Sequence, residues 1–258
     1  MSGQFEGRVA IVTGGNAGIG AAIATRFARN GASVVVAARR MDKSLELVRR
    51  IEADGGRALA VEVDVARRAD VESMVHETLR RFGRLDIAVN NAGVSGPVMT
   101  PVADIDEASW DQVMDINLKG VWLCMKYEIP AMLAAGGGAI VNISSIYGLK
   151  PSDVGHAPYC TSKYGMIGLS KTAAIDYGQS GIRVNVVAPG YTHTDLVDAT
   201  LDAAPDLAAA LLNKYSGQKR VGDAIEVAEA VAWLCSGAAS FVNGAVLTVD
   251  GGDTARLY

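Results

Sequence analysis

The sequence has few of the residues that build disulfide frameworks and metal centres. Its 258 residues include only three cysteines and three histidines, which lie far apart, and no CxxC pair occurs. An odd, sparse set of cysteines argues against a disulfide framework and fits a reducing compartment. Isolated histidines offer no ligand set for a zinc-type ion. We therefore expect a cytoplasmic protein without a metal site.

A surplus of positive charge and long hydrophobic runs are also missing. The chain has 24 Lys and Arg against 28 Asp and Glu, a formal net charge of −4, and its basic pairs are scattered among acidic residues. Such a chain is not typical of a nucleic-acid-binding protein. No apolar run approaches the roughly 18 residues that a membrane-spanning helix needs. Residues 1–10 lack the pattern of a secretion signal. We expect neither nucleic acid nor a membrane as a partner.

The chain does have the composition of a large α/β core, with 50% hydrophobic residues and 29 glycines. Short β-branched runs alternate with segments of helical periodicity, and several runs are apolar throughout, as strands buried on both faces should be. This pattern predicts a Rossmann-type, doubly wound, seven-stranded parallel sheet with helices on both faces. The predicted strands are Val9–Thr13, Ser33–Ala37, Ala58–Val63, Asp86–Val89, Ala139–Ile143, Arg183–Ala188 and Ala245–Val249.

No repeat, linker or break in composition divides the chain, so residues 1–258 are predicted to form a single domain. One segment, at about 191–222, has many leucines for a stretch outside the sheet. We interpret it as a helical excursion. It either packs against the core or a second subunit, or forms a flap over a substrate.

A glycine-rich loop, TGGNAGIG at Thr13–Gly20, follows the first predicted strand and leads into a helix. In this context Gly14 allows the sharp turn, Gly18 lets the backbone approach a pyrophosphate, and Gly20 lets the helix pack on the strand. The N–H groups at the helix N-terminus can bind the anion. The loop therefore predicts a dinucleotide cofactor. Its predicted contacts are Gly14, Asn16, Ala17, Gly18 and Ile19.

The end of the second strand indicates which dinucleotide is bound. A carboxylate there binds the ribose 2′-hydroxyl of NAD, whereas arginine suits the 2′-phosphate of NADP. The strand runs into Arg39 and Arg40, with no acidic residue before Asp42. The two arginines predict a preference for NADP(H), and NAD stays a possible cofactor.

Taken together, these stretches resemble the short-chain dehydrogenase/reductase family, in its single-domain form of about this length. The resemblance covers essentially the whole chain, and the order and spacing of the motifs agree. The matching stretches are the TGxxxGxG loop at Thr13–Gly20, Asp64-Val65, the NNAG stretch at Asn90–Gly93, Asn117, Ser145, the YxxSK stretch at Tyr159–Lys163, and the Pro-Gly turn at Pro189–Thr192.

The resemblance implies roles for these residues and an assembly. It implies a catalytic tetrad of Asn117, Ser145, Tyr159 and Lys163. It also implies a homotetramer built on two long helices around Trp110–Ala135 and Tyr159–Gly178. The implied cofactor contacts beyond the glycine loop and the two arginines are Asp64, Val65, Asn91, Ala92, Gly93, Tyr159, Lys163, Pro189, Gly190, Thr192 and Thr194.

The residue types of the tetrad suit hydride chemistry on a carbonyl group. Reduction requires a proton for the developing alkoxide. A tyrosine, with a reference pKa of about 10, is a poor base near neutrality unless that pKa is lowered. Lys163 follows Tyr159 by four residues, so on a helix both lie on one face, and we expect its charge to favour the phenolate. The predicted function is an NADP(H)-dependent oxidoreductase that interconverts a small-molecule carbonyl and a secondary alcohol, with Tyr159 as the general acid/base.

Several alternatives stay open at this point. The enzyme is alternatively a 3-oxoacyl thioester (acyl-carrier-protein) reductase or an NAD-dependent alcohol or sugar dehydrogenase. A non-catalytic dinucleotide sensor on the same scaffold is a more remote alternative. Many NADP-preferring relatives have a basic residue within the glycine loop, where this chain has Asn16. His193, or His156 with Tyr147, either lines a substrate pocket or lies in solvent.

Overall fold

Seven parallel strands form the centre of the protein. The computed structural model describes residues 3–152, 155–194, 197 and 217–255. The strand order in the sheet is β3-β2-β1-β4-β5-β6-β7, and every neighbouring pair is parallel. The strands are β1 Val9–Thr13, β2 Ser33–Ala38, β3 Arg57–Glu62, β4 Ile87–Asn90, β5 Gly138–Ile143, β6 Ile182–Pro189 and β7 Val246–Val249.

Helices cover both faces of this sheet, so the predicted doubly wound fold is confirmed. The chain builds outward from β1 to β3, returns to the centre at β4, and then builds to the other side. The carboxyl ends of β1 and β4 therefore form the switch point at which such folds bind their ligands. The helices are α1 Gly18–Arg29, α2 Met41–Ala53, α3 Arg68–Phe82, α4 Glu107–Met114, α5 Gly120–Ala134, α6 Ala157–Tyr177 and α7 Ala224–Cys235.

The core is divided into two layers by the sheet. On β1, Val12 packs into a cluster with residues of α1 and α7, such as Phe27 and Val231. The preceding residue, Ile11, packs into a second cluster with α3 and α5, including Met74 and Met132. Adjacent residues of one strand thus point into opposite layers, and both must be apolar. This explains the uninterrupted apolar runs in the sequence.

The predicted strands all occur, with small shifts at their ends, and the fourth is an example. It was predicted from Asp86 to Val89 and runs from Ile87 to Asn90. Asp86, just before the strand, accepts a hydrogen bond from the Val9 N–H at 2.9 Å through its carboxylate, which also pairs with Arg8 and Arg84. These bonds hold the pKa of Asp86 below its ordinary value, although burial acts to raise it.

The two ends of the predicted excursion at 191–222 lie side by side after β6. Thr192 pairs with Gly222 in a β-bridge. The His193 N–H donates to the Gly222 carbonyl at 2.8 Å, and the Gly222 N–H donates to the Tyr191 carbonyl at 2.9 Å. Most of the segment lies outside the described residues, so the flap over the substrate stays a prediction. Within the part of the chain that the structure describes, no helix is long and apolar enough to cross a membrane.

Candidate active site

The glycine loop forms a tight turn between β1 and α1. Gly14 and Gly18 both have positive φ, at +61° and +49°, a region that favours glycine. A Cβ on Gly20 would lie 2.2 Å from the Gly14 carbonyl oxygen, so this position requires glycine for the close packing of helix on loop. The N-cap residue Ala17 makes no side-chain capping bond, and the first turn of α1 has no acidic residue. The first N–H groups of α1 are therefore suited to an anion such as pyrophosphate.

The loop after β4 is fastened to the loop after β1. The backbone N–H groups of Asn91 and Ala92 donate to the Thr13 hydroxyl at 3.1 and 3.2 Å. The Asn91 side chain donates to the carbonyls of Thr13 and Gly14 at 3.1 and 3.2 Å. These four bonds give the switch point a fixed shape. The sequence did not predict that the Thr13 hydroxyl holds the loop after β4, because the order of residues along the chain does not show this contact.

The turn after β2 presents both predicted arginines, and Asn16 supports it. Arg39 and Arg40 are exposed. Asn16 is buried, and its side-chain amide donates to the Arg40 carbonyl at 2.9 Å and to the Ser44 hydroxyl at 3.2 Å. The Asn16 side chain thus binds the β2–α2 turn, and Arg39 lies at the same edge of the sheet as the glycine loop.

Two more predicted cofactor residues follow β3. Asp64 and Val65 lie just beyond the strand end, and one carboxylate oxygen of Asp64 accepts a hydrogen bond from the Ala66 N–H at 3.1 Å. Val65 is buried, and its side chain lies against Gly120 at the start of α5, where an added Cβ would be 2.9 Å from it. They continue the line of residues at the carboxyl ends of the strands.

Three of the four tetrad residues meet at the start of α6. Tyr159 lies in the first turn of that helix and Lys163 one turn later. The Lys163 ammonium lies 5.4 Å from the centre of the Tyr159 ring and donates to the Ile143 carbonyl at 2.8 Å. Ser145, two residues beyond β5, hydrogen-bonds Tyr159, and its hydroxyl oxygen accepts from the Tyr147 N–H at 3.2 Å. The predicted proximity of these side chains is thus present.

Burial dominates the titration of this group. It raises the pKa of Tyr159 above its ordinary value, and the hydrogen bond with Ser145 acts in the opposite direction. Burial also lowers the pKa of Lys163 to about 8. In this structure desolvation outweighs the hydrogen bond with Ser145, so the net shift of the Tyr159 pKa is upward; that Lys163 and an oxidised nicotinamide together lower this pKa stays a prediction. The phenol is therefore protonated near neutral pH, the form that can donate a proton.

Asn117, the fourth residue, holds the loop after β4 against this group. It lies in a π-helical turn, Asp115–Lys119, between α4 and α5. Its side chain accepts from the Val94 N–H and donates to the Val94 carbonyl, both at 2.8 Å, and donates to the Ser162 hydroxyl at 3.3 Å. A Cβ on Gly93 would lie 3.2 Å from the Asn117 side-chain oxygen and 3.7 Å from the Lys163 nitrogen. Asn117 thus brings the NNAG stretch next to Lys163.

The turn after β6 closes the other side of the cleft. Pro189 ends the strand, and a Cβ on Gly190 would lie 2.8 Å from the Asp250 Cα. Thr192 is buried and donates to the Gly190 carbonyl at 3.1 Å. A Cβ on Gly18 would lie 2.9 Å from the Thr194 methyl group, so this turn lies against the glycine loop. The predicted cofactor residues therefore line one continuous edge of the sheet.

Of the two histidine sets proposed for a substrate pocket, the structure places only one beside Tyr159. His193 is exposed, whereas His156 is buried and stacks on the Tyr159 ring. Tyr147 meets His156 edge-on, and its hydroxyl lies 3.0 Å from that of Tyr191. In the described ranges, no cluster of His, Cys, Asp and Glu side chains is arranged to hold a metal ion.

Comparison with known proteins decides the family. Residues 14–254 match the family model described as "Enoyl-(Acyl carrier protein) reductase". The chain belongs to the short-chain dehydrogenase/reductase family. It is 47% identical over 253 residues to an A-factor type gamma-butyrolactone 1′-reductase (1S-forming) of Streptomyces virginiae, covering 98% of this chain and 97% of that protein.

Two further relatives of this short-chain dehydrogenase/reductase support the family assignment. A cis-4-hydroxycyclohexanecarboxylate dehydrogenase of Sinomonas cyclohexanicum is 44% identical over 257 residues, which cover 99% of this chain and all of that protein. The crystal structure of levodione reductase superimposes with a TM-score of 0.93 at 34% identity, covering 98% of this chain and 100% of that one. The protein is therefore an enzyme of a family that acts on CH–OH and C=O groups with NAD(P).

The geometry of this member fits a dinucleotide. The uncapped start of α1, the positive-φ glycines at positions 14 and 18, and the bonds that join Asn91 to Gly14 leave a backbone-lined cradle at the switch point. The same edge continues through Tyr159 and Lys163 to the β6 turn. Which residues contact the cofactor stays a prediction.

Proposed function

We propose that this enzyme is an NADP(H)-dependent oxidoreductase that interconverts a ring ketone and the corresponding secondary alcohol, with Tyr159 as the general acid/base. The observation that carries the proposal is the contact of the half-buried Tyr159 with Ser145 and Lys163. The ring class of substrate is suggested by the relative whose name places a hydroxyl group on a cyclohexane ring. The partly exposed aromatic ring of Tyr147 in this group suits such an apolar ring.

In the proposed mechanism, this chain supplies the proton and holds the substrate oxygen. The hydroxyls of Ser145 and Tyr159 bind the carbonyl oxygen, and Tyr159 donates its proton to the developing alkoxide. When bound, the nicotinamide supplies the hydride in reduction and accepts it in oxidation. The Lys163 ammonium lies 5.4 Å from the Tyr159 ring, so it stabilises the phenolate left behind. Oxidation of the alcohol runs through the same groups in reverse.

The preference for NADP(H) over NAD(H) rests on the turn after β2. Arg39 and Arg40 are exposed there, and the turn has no carboxylate before Asp42. A guanidinium group can bind a 2′-phosphate through two hydrogen bonds. Asn16 holds the carbonyl of Arg40 and thereby fixes the turn. It takes the place of the basic residue that many NADP-preferring relatives have in the glycine loop.

The acid/base role is tested by replacing Tyr159 with Phe, which removes only the hydroxyl. We expect Y159F to abolish NADPH oxidation across a panel of ring ketones, with NADPH affinity retained because the rest of the edge is unchanged. Turnover and NADPH binding are measured by absorbance and by fluorescence titration. Tyr164, exposed on the same helix, gives the control variant Y164F, which should keep wild-type turnover. Turnover by Y159F at the wild-type rate would contradict the proposal.

The same panel decides between substrate classes. The description of the matching family model favours including 3-oxoacyl and enoyl thioesters beside the ketones. Faster turnover of thioesters than of ring ketones would replace the ring-ketone proposal with the thioester reductase. No turnover of any compound, together with tight NADPH binding, would favour the non-catalytic sensor. The presence of Ser145, Tyr159 and Lys163 in contact argues for an enzyme.

We propose further that the enzyme is a cytoplasmic homotetramer that associates through α4, α5 and α6. The cytoplasmic location is supported by the free state of all three cysteines, Cys124, Cys160 and Cys235. The tetramer is supported by exposed apolar side chains on those helices, such as Trp122 on α5 and Ile175 on α6.

A further inference from the structure

His156, the residue just before α6, lies flat against the ring of Tyr159. The two ring centres are 4.6 Å apart, and their planes differ by 10°. The Tyr147 ring meets His156 edge-on, with centres 5.9 Å apart. Only 8% of His156 is exposed, so its ring is part of the buried surroundings of the phenol. The side chain on which the proposed chemistry depends is thus covered by an imidazole.

A hydrogen bond fixes the orientation of that imidazole. The Nε2 atom of His156 lies 2.9 Å from the Ser95 carbonyl oxygen and 3.0 Å from the Ser95 hydroxyl. Because a carbonyl oxygen can only accept, we assign the proton to Nε2, which donates to Ser95. Burial lowers the pKa of His156 and outweighs the opposite effect of this bond, so the ring is neutral near neutral pH.

Ser95 connects the stack to the loop after β4. The preceding residue, Val94, has both its N–H and its carbonyl bound by Asn117. Asn117 therefore holds one residue of the loop and His156 holds the next. Through these contacts, the loop that begins at Asn91 at the switch point is mechanically joined to the ring of Tyr159.

We propose that His156 is a positioning residue for Tyr159: its ring fixes the plane of the phenol toward Ser145 and shields one face of it from water. The proposal rests on the acid/base function proposed above for Tyr159. The titratable groups that face the phenol from α6 are Lys163 and Cys160, and Tyr147 faces the stack from the loop after β5. Lys163 supplies the charge that stabilises the phenolate, whereas His156 supplies a flat, uncharged cover.

Two variants separate the ring from its hydrogen bond. H156F keeps a flat ring and loses the N–H donor, whereas H156A loses both. The exposed His76 on α3 gives a matched control, H76A. The first measurement is the pH titration of tyrosinate absorbance, with the same variant in a Y159F background subtracted to isolate Tyr159. We expect a lower pKa for Tyr159 in H156A, because water then reaches the phenol, and a wild-type titration in H156F and H76A.

The second measurement is steady-state reduction of a ring ketone together with NADPH affinity. Small displacements of a reacting group can cost about 100-fold in rate. We expect kcat to fall about 10- to 100-fold in H156A, less in H156F, and not at all in H76A, with NADPH affinity unchanged. A merely structural role would lower the melting temperature without moving the Tyr159 titration. If H156A does not fold, H156S carries the same expectation, because serine also leaves the phenol open to water.

A wild-type titration and kcat in H156A, or a shift in H156F as large as in H156A, would overturn the proposal. The titration needs neither substrate nor cofactor. If the wild-type enzyme turns over no ketone in the panel, the proposed function fails, and the titration still decides whether His156 covers Tyr159.

Discussion

Glu128 is a carboxyl group buried completely between α5 and the sheet. One of its oxygens accepts a hydrogen bond from the Asn90 side chain at 3.1 Å, and the other has no partner within the described part of the chain. The Asn90 amide also donates to Asn142 at 3.0 Å. Burial raises the pKa of Glu128 to about 7. A group that gains and loses a proton near neutral pH thus lies beneath the strand that leads to Asn91.

This residue predicts a pH dependence of stability. The folded protein binds the Glu128 proton more tightly than the unfolded chain, whose ordinary pKa is 4.5. The free energy of unfolding therefore decreases as the pH rises from about 4.5 to about 7, by at most about 3 kcal/mol from this group. E128Q keeps an oxygen for Asn90 and has no charge. We expect urea unfolding to show E128Q gaining stability relative to wild type between about pH 5 and about pH 8.

A control separates this effect from the loss of any carboxylate. Glu46 is exposed on α2, so the free energies of unfolding of E46Q and wild type should differ by nearly the same amount at about pH 5 and at about pH 8. Parallel stability curves for E128Q and wild type would show that Glu128 does not hold its proton as the structure indicates.

At the scale of elements, we propose that the turn between β2 and α2 determines the choice of cofactor. It is short, it has Arg39 and Arg40 exposed, and Asn16 holds its backbone. Hydrogen bonds to charged groups contribute about 1.5–3 kcal/mol, which corresponds to about 10- to 100-fold in affinity. We expect R39A to weaken NADPH binding by this factor and to leave NADH binding unchanged, as measured by fluorescence titration with both cofactors.

The matched control for R39A is R50A, which removes an exposed arginine from the last turn of α2, away from the turn. It should change neither affinity by more than the small effect of a surface charge. An equal loss of NADPH and NADH affinity in R39A would show that Arg39 does not bind the 2′-phosphate.

The strands and the glycine turn could be predicted because local sequence determines them. Residues such as Ile11 and Val12 must both be apolar when layers cover both faces of the sheet. Likewise, only glycine tolerates the positive φ at Gly14 and the contact at Gly20. The start of β4 was predicted one residue early. The carboxylate of Asp86, just before the strand, binds the distant Val9 N–H, and long-range contacts of this kind have no local pattern.

In the candidate active site, even more depends on long-range contacts that the sequence does not show. The sequence order indicated Ser145, Tyr159 and Lys163, whose contact the fold then produces. It did not indicate that His156 stacks on Tyr159, since that depends on the path of the loop before α6. Nor did it indicate that burial would raise the pKa of Tyr159. The desolvation of a side chain depends on all the residues packed around it, and a short sequence motif does not specify those residues.

At the scale of the whole molecule, α5 and α6 carry exposed apolar side chains, Trp122 and Ile175, the latter exposed at 82%. A groove beside Trp122 is lined by Met114, Leu118 and Leu169 together with the charged Asp115 and Lys119. Monomeric proteins rarely expose contiguous apolar patches larger than a few hundred Å², and larger patches typically mark interfaces. We propose that these two helices form the subunit contact, and we call their exposed side the α5–α6 face.

The proposed assembly is tested by variants that introduce a charged side chain into this face. In W122E and I175E, a carboxylate would be buried in the subunit contact, where its desolvation costs several kcal/mol even beside lysines such as Lys119 and Lys126. We expect both variants to sediment as smaller species than the wild type at the same concentration. Leu45 is exposed on α2, outside the face, so L45E should sediment as the wild type does. Wild-type sedimentation of W122E and I175E, or a monomeric wild-type protein, would contradict assembly through α5 and α6. Because α6 also carries Tyr159 in its first turn, dissociated variants that keep full turnover would further show that the active site is complete within one subunit.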